Sequence, residues 1–280
     1  MAGMSPPLLT DRAQLARVRA RAARDADRAR FLHDDACREI KERLAEVNRT
    51  FTAPAVVTGA PDLWAGVLPG ARIVADDDAL DLREGAHDLV IHALALHWAN
   101  DPVGQIVQCR RALKGDGLFL AVLFGGRTLH ELRASLAEAE ARLTGGLSPR
   151  VLPMGEIRDL GALLQRAGLA LPVADSLTRT VSYATPLHLM RDLRAIGETN
   201  ALAQRRRSFA RKELFAEAAR SYAEAFATPD GRIPATFEMI FLTGWAPDPS
   251  QPQPLRPGSA ARRLAEALGT TERSAGEKPG

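Results

Sequence analysis

Cysteine is nearly absent from this chain: Cys37 and Cys109 are the two thiols in 280 residues. Two cysteines make no disulfide framework, and neither stands at a metal-ligand spacing. A reducing bacterial cytoplasm is therefore the expected compartment. Aromatic residues make up 5% of the chain, while Ala, Leu and Arg carry much of it, a composition typical of GC-rich bacterial genes. No run of 18 or more apolar residues occurs, so no helical membrane span is expected and peripheral contact is the membrane role left open. Walker loops, Gly-x-Gly-x-x-Gly, Gly-x-Ser-x-Gly and zinc-type Cys/His clusters are all missing, which removes the usual motifs of several large enzyme classes. No internal repeat is visible. A net charge of +3 is modest for this length. The arginines from Arg12 to Arg30 form one basic stretch, read mainly as the solvated face of a helix rather than an arm for nucleic acid, so no nucleic-acid partner is expected. Asp11, Asp25 and Asp27 and the lack of an apolar segment argue against a targeting peptide there.

What is present is a chain that is 46% hydrophobic, enough to bury a substantial core. Apolar residues at Phe31, Leu32, Ile40, Leu44 and Val47 recur at helical spacing, so residues 11–48 read as one or two helices. Beyond them the pattern becomes strand–helix alternation. Short strands are expected at Ala55–Val57 and Arg72–Ala75. The nearly all-apolar runs His87–Leu94 and Leu118–Phe124 read as strands buried on both faces. Asp101 followed by Pro102 opens a helix. Thr128 with Glu131 three residues on reads as a capping box. Helices are predicted at 157–167, from Pro186 and at 211–226, with strand-like stretches at 171–174, 178–183 and 236–245. This alternation implies an α/β fold with a mostly parallel sheet covered on both faces. The expected division is a helical extension over 1–50, an α/β domain over 51–246 with cap helices at about 186–228, and a proline-rich disordered tail over 247–280.

Six segments carry a resemblance: "HDLVIHALALHWANDP" (87–102), "LKGDGLFLAVLFGGRTLHELR" (113–133), "GGLSPRV" (145–151), "IRDLGALLQRAGL" (157–169), "LMRDLRAIGETNA" (189–201) and "GRIPATFEMIFLTGW" (231–245). Together they resemble the class I SAM-dependent methyltransferase superfamily, in the branch that holds a mitochondrial complex I assembly factor regarded as a protein-arginine hydroxylase. More distantly they are similar to malonyl-carrier-protein O-methyltransferases. The resemblance implies a Rossmann-like sheet of seven strands, S-adenosyl-L-methionine (SAM) at the carboxyl ends of the first strands, and a helical cap before the last strand. It also implies a protein partner, for one branch a subunit of the respiratory NADH dehydrogenase.

The cofactor segment departs from that pattern. After the first strand the sequence reads "VVTGAPDLW", with Gly59 as the single glycine that lets a backbone approach a ligand closely and Pro61 removing a donor. From Gly59 to Asp88 there are 29 residues, too few for two β-α units, so one unit is expected to be missing. The strand ending in Asp76-Asp77-Asp78 matches the later of the family's two strands better, because its acidic tail leads straight into "HDLV"; Asp76 and Asp77 then face the adenine and the ribose acid is lost. If it is the earlier strand, Asp76 is itself the ribose acid, 17 residues after Gly59. The resemblance assigns Gly59, Asp76, Asp77, Leu96 and His97 to the cofactor. It assigns Trp98, Asn100, Phe124, Gly125, Gly126, Arg127 and His130 to the rim that meets the substrate or partner. Among other chemistries, His33-Asp34-Asp35 has a His-x-Asp spacing, but residues two apart on a helix diverge, and no metal is expected. His92 reads as a core histidine. Two functions remain from this reading: a SAM-using enzyme that modifies a protein partner, and a non-catalytic descendant that has lost SAM and keeps the partner surface.

Overall fold

The computed structural model describes residues 8–25 and 29–252. The proline-rich tail expected beyond residue 247 lies outside them from residue 253 onward. Residues to Pro247 form one compact unit; a second begins at Asp248. In it Ser250 donates from its backbone N–H to the Asp248 carboxylate at 3.0 Å.

Two helices open the first unit, α1 (Arg12–Ala22) and α2 (Phe31–Glu46). They belong to the same compact unit as the α/β elements. Then follow β1 (Pro54–Thr58), the one-turn α3 (Pro61–Trp64), β2 (Arg72–Ala75), β3 (His87–Ala93), α4 (Pro102–Ala112), β4 (Leu113–Phe124), α5 (His130–Thr144), α6 (Ile157–Arg166), β5 (Ala170–Tyr183), α7 (Pro186–Ala195), α8 (Lys212–Phe226) and β6 (Ile233–Trp245). The sheet order is β2-β1-β3-β4-β6-β5, with β6 running against both its neighbours. The two stretches expected at 171–174 and 178–183 form the single long edge strand β5.

Strand alternation sorts the core into two layers. Val56, Leu89, Ile91, Leu120 and Val122 face α2, α5, α7 and α8, while Ala55, Val57, Val90, Phe119 and Ala121 face α4 and α6. The apolar runs of β3 and β4 are buried on both sides because the right-handed crossovers of a parallel sheet place helices on each face.

Two local expectations meet different outcomes. Asp101 caps α4 as its sequence suggests, accepting from the Gly104 N–H at 2.8 Å with Pro102 in the first turn. The capping box of Thr128 and Glu131 does not form. The Thr128 hydroxyl instead bonds the backbone of Glu238, and Glu131 accepts from the Thr236 hydroxyl at 2.5 Å. Both side chains clamp β6, a tertiary use that outcompetes the local cap.

The preferred register of the second strand is also reversed. Arg72–Ala75 pairs in parallel directly with β1, Ala55 opposite Arg72 through Thr58 opposite Ala75. No strand separates them, and residues 62–70 hold none. This is the earlier of the family's two strands; the unit that is missing is the outer one.

Candidate functional site

The carboxyl ends of β1, β2 and β3 open on the same side of the sheet, where ligands of α/β folds collect. Gly59 ends β1, and Asp76 ends β2 with 4% of its surface exposed. Leu94 leaves β3 with φ +45°, an unusual conformation for a branched side chain. That bend turns the chain into a single 3₁₀ turn, Leu96–Trp98, that carries His97 and Trp98 to the rim.

Across these strand ends lies α1. Arg12 and Arg19 are seven residues apart, on one face of the helix. Arg19 donates to one Asp76 carboxylate oxygen at 2.6 Å, and Arg12 to the other at 3.3 Å and to the Asp76 carbonyl at 2.5 Å. Burial alone raises the Asp76 pKa, but the Arg19 and Arg12 guanidiniums outweigh it and hold the group below the usual carboxylate range. The Arg19 guanidinium also covers Gly59 so closely that a Cβ there would sit 2.1 Å from its Cζ. The start of the arm is held by Asn100, which accepts from the Thr10 N–H at 2.8 Å and donates to the Thr10 carbonyl at 3.2 Å. Beneath this, the Gln105 amide donates to the carbonyls of Asp76 and Asp77, and its oxygen faces His92 Nε2 at 2.8 Å.

Beside the crevice is a second cavity of about 240 Å³, between the rim and the cap. Trp98, Phe124, Leu132, Leu193, Phe215 and Phe237 give it a largely apolar wall; Glu198 and Arg150 also line it. The Glu198 carboxylate accepts from the Trp98 indole N–H at 2.9 Å and lies 3.3 Å from His97 Nε2. Burial pushes its pKa up, but His97, Arg19 and the Trp98 hydrogen bond hold it below the ordinary value. His33, also buried, accepts the Trp64 indole N–H at 3.0 Å.

The predicted site residues therefore divide. Gly59 and Asp76 meet beneath Arg19. The Asp77 carboxylate is 77% exposed and 3.7 Å from Arg12. Leu96 is 2% exposed and packed in the α4-facing core, not in the crevice. Among the rim residues, Trp98 and Phe124 line the pocket, whereas Asn100 clasps the arm. Gly125 and Gly126 are needed for packing: a Cβ would meet the Glu238 and Ile240 side chains at 2.5 Å, or Glu156 at 2.3 Å. Arg127 and His130 are exposed and outside the pocket. Sequence reasoning missed Arg12, Arg19 and Glu198. The seven-residue spacing of the two arginines beside buried Leu15 was the available signal for the first two. Among the described residues no cluster of three or more His, Cys, Asp or Glu could hold a metal.

A family model described as "Methyltransferase domain" matches residues 36–121. The malonyl-(acyl-carrier protein) O-methyltransferase of Halorhodospira halophila is 33% identical over 203 residues, 72% of this chain and 67% of that protein. The chain belongs to the class I SAM-dependent methyltransferase superfamily. Within this superfamily it sits in the branch of the proteins named "Arginine-hydroxylase NDUFAF5, mitochondrial". The Danio rerio protein of that name is 38% identical over 199 residues, 71% of this chain and 62% of its own. That of Dictyostelium discoideum is 41% identical over 197 residues, 70% and 45%. The chain thus spans between about half and two thirds of the length of these curated relatives. Their mitochondrial names overturn the expected bacterial cytoplasm. Two unpaired thiols report a reducing environment, which is not peculiar to one compartment.

Membership in a SAM-dependent superfamily implies a SAM site at the ends of β1 and β2. As arranged here, the residues do not fit it: both Asp76 oxygens carry guanidiniums, and the open face of Gly59 is filled by Arg19. Asp76 follows the strand paired with β1, where a ribose acid would stand, and there it is engaged by Arg19 and Arg12.

Proposed function

We propose that this methyltransferase-like chain acts on a protein partner as an assembly factor of the respiratory NADH dehydrogenase, receiving an arginine side chain of that partner in the pocket beside Glu198. The observation that carries this reading is the buried Glu198 carboxylate, held ionised in the wall of a largely apolar pocket that Arg150 and Arg194 also line. An anionic group so placed favours a cation, and the Trp98 and Phe124 faces suit the flat guanidinium. The names of the mitochondrial relatives support arginine as that cation. A nucleic-acid partner is disfavoured, because Arg12 and Arg19 turn inward to Asp76.

The test is calorimetry with a short peptide bearing one central arginine against the same peptide bearing citrulline. The arginine peptide binds about tenfold tighter, and Glu198→Gln removes most of that difference, as loss of one buried charge-assisted bond predicts. Equal affinity for both peptides overturns the reading.

A second reading, a non-catalytic assembly protein, draws on the engagement of Asp76 and Gly59 by α1. Both readings use the same pocket and differ in whether the partner is changed. Intact-mass measurement of a co-expressed NADH dehydrogenase subunit separates them: an unaltered mass supports the second.

A further inference from the structure

We propose that α1 is a latch closed over the cofactor crevice, with Arg19 standing in for the ribose hydroxyls on Asp76, so that SAM and the latched arm exclude each other. The proposal rests on the reading of the β1 and β2 ends as the SAM site.

The crevice itself argues for it. Two cavities, about 310 and 240 Å³, are both lined by Arg19, Gly59 and Pro61. The first continues to Ile73, Asp76 and Asp77, the second to Ala60, Asp62 and Ile196. One side chain divides what is otherwise a single trough running past a bare glycine to a buried carboxylate. Small-ligand sites span roughly 300–1,000 Å³, so each cavity alone is marginal for a nucleoside and the joined trough is not. A carboxylate at a strand end is suited to a diol, and here Arg19 and Arg12 each supply one guanidinium donor to its two oxygens.

The arm is fastened where a latch needs to be. At its start Asn100 grips Thr10, the Asp11 N–H donates to the Ala201 carbonyl at 2.8 Å, and Arg205 reaches the Asp11 carboxylate at 2.9 Å. At its far end Gly197, with φ +78°, packs against Arg19 at 3.3 Å from a Cβ position to Cγ. Residue 198, next to it, is the pocket carboxylate, and Arg19 is among the charges that keep Glu198 ionised. Withdrawal of Arg19 therefore opens the crevice and alters the charge balance at the partner pocket together.

The arrangement is tested on the full chain by SAM calorimetry and by hydrogen exchange over residues 12–22. Arg19→Ala binds SAM about tenfold tighter than the unaltered chain, the factor by which a one-in-ten open population weakens apparent affinity. Asn100→Ala, which loosens the arm without touching the crevice, shifts affinity in the same direction and guards against a fold defect in the first variant. SAM added to the unaltered chain speeds exchange in α1. Weaker binding by Arg19→Ala, or α1 amides protected by SAM, overturns the latch and makes Arg19 a cofactor ligand. Absence of SAM binding from all three proteins also overturns it, while the arginine-peptide result stands independently.

Discussion

His92 of β3 and Gln105 of α4 share a 2.8 Å hydrogen bond whose direction is dictated by the next link. Gln105 donates its amide to the carbonyls of Asp76 and Asp77, so its oxygen must accept from His92 Nε2–H. His92 is neutral because burial brings its pKa down to about 4, although the Gln105 hydrogen bond and Asp76 pull partly the other way.

A pH dependence follows. The folded pKa lies below the unfolded value of 6.5, so the stabilisation from a neutral His92 is complete above pH 6.5. It is lost as pH falls toward 4, because the unfolded chain takes up the proton first. Each pH unit in that window is worth about 1.4 kcal/mol for one such group. His33, buried and also held at about 4, behaves alike. In urea unfolding at pH 5.5, above most carboxylate titrations, His92→Gln takes up about one proton fewer on unfolding than the unaltered chain. Identical pH slopes would show that His92 is not a buried neutral group.

Glu140 on α5 supplies an opposite case. Its side chain is 3% exposed and paired with Arg150 at 2.7 Å. Burial raises its pKa, but Arg150 and Ser148 outweigh this and bring it to about 2. The folded value lies below the unfolded one, so this contribution is present above pH 4.5 and disappears as pH falls through 4.5 toward 2. Glu140→Gln is expected to cost about 2–4 kcal/mol at neutral pH by leaving Arg150 without its counter-charge. The gap between the variant and the unaltered chain shrinks from pH 4.5 downward and closes near pH 2; a constant gap down to pH 2 would contradict the pairing.

The clamp between α5 and β6 separates a tertiary from a local role for Glu131. Glu131→Ala strands the Thr236 hydroxyl and N–H in a buried site, at a cost of roughly 1–3 kcal/mol. An isolated peptide of residues 127–145 shows no more loss of helicity than the Ala substitution alone explains. A large helicity loss in the peptide, with little change in the protein, would restore the capping-box reading.

Much of the architecture was legible locally. The buried runs of β3 and β4 and the Asp101–Pro102 start of α4 follow from composition and from backbone groups a few residues apart. The family followed from motifs that lie on the rim and cap. Legibility failed wherever a side chain had both a near and a distant partner on offer. Thr128 and Glu131 carry the letters of a cap, yet the N-cap position falls to Leu129 in the left-handed region, and both side chains bond β6 instead. Gly125 and Gly126 look like a ligand loop, yet they are small because Glu238, Ile240 and Glu156 press on them.

By itself, the sequence determined an α/β chain of the methyltransferase kind, with one β-α unit fewer than seven strands require, because periodicity and chain length are local quantities. Only the tertiary structure decided that β2 lies beside β1 and so puts Asp76 next to Gly59 at the strand ends. It alone brought Arg19 to Asp76 across 57 residues and His97 to Glu198 across 101. Contacts at such separations leave no periodic trace in the chain. The Arg19–Asp76 pair forms because burial of Leu15, Val18 and Ala22 seats α1 over the strand ends, and the charges it carries must then find partners out of water.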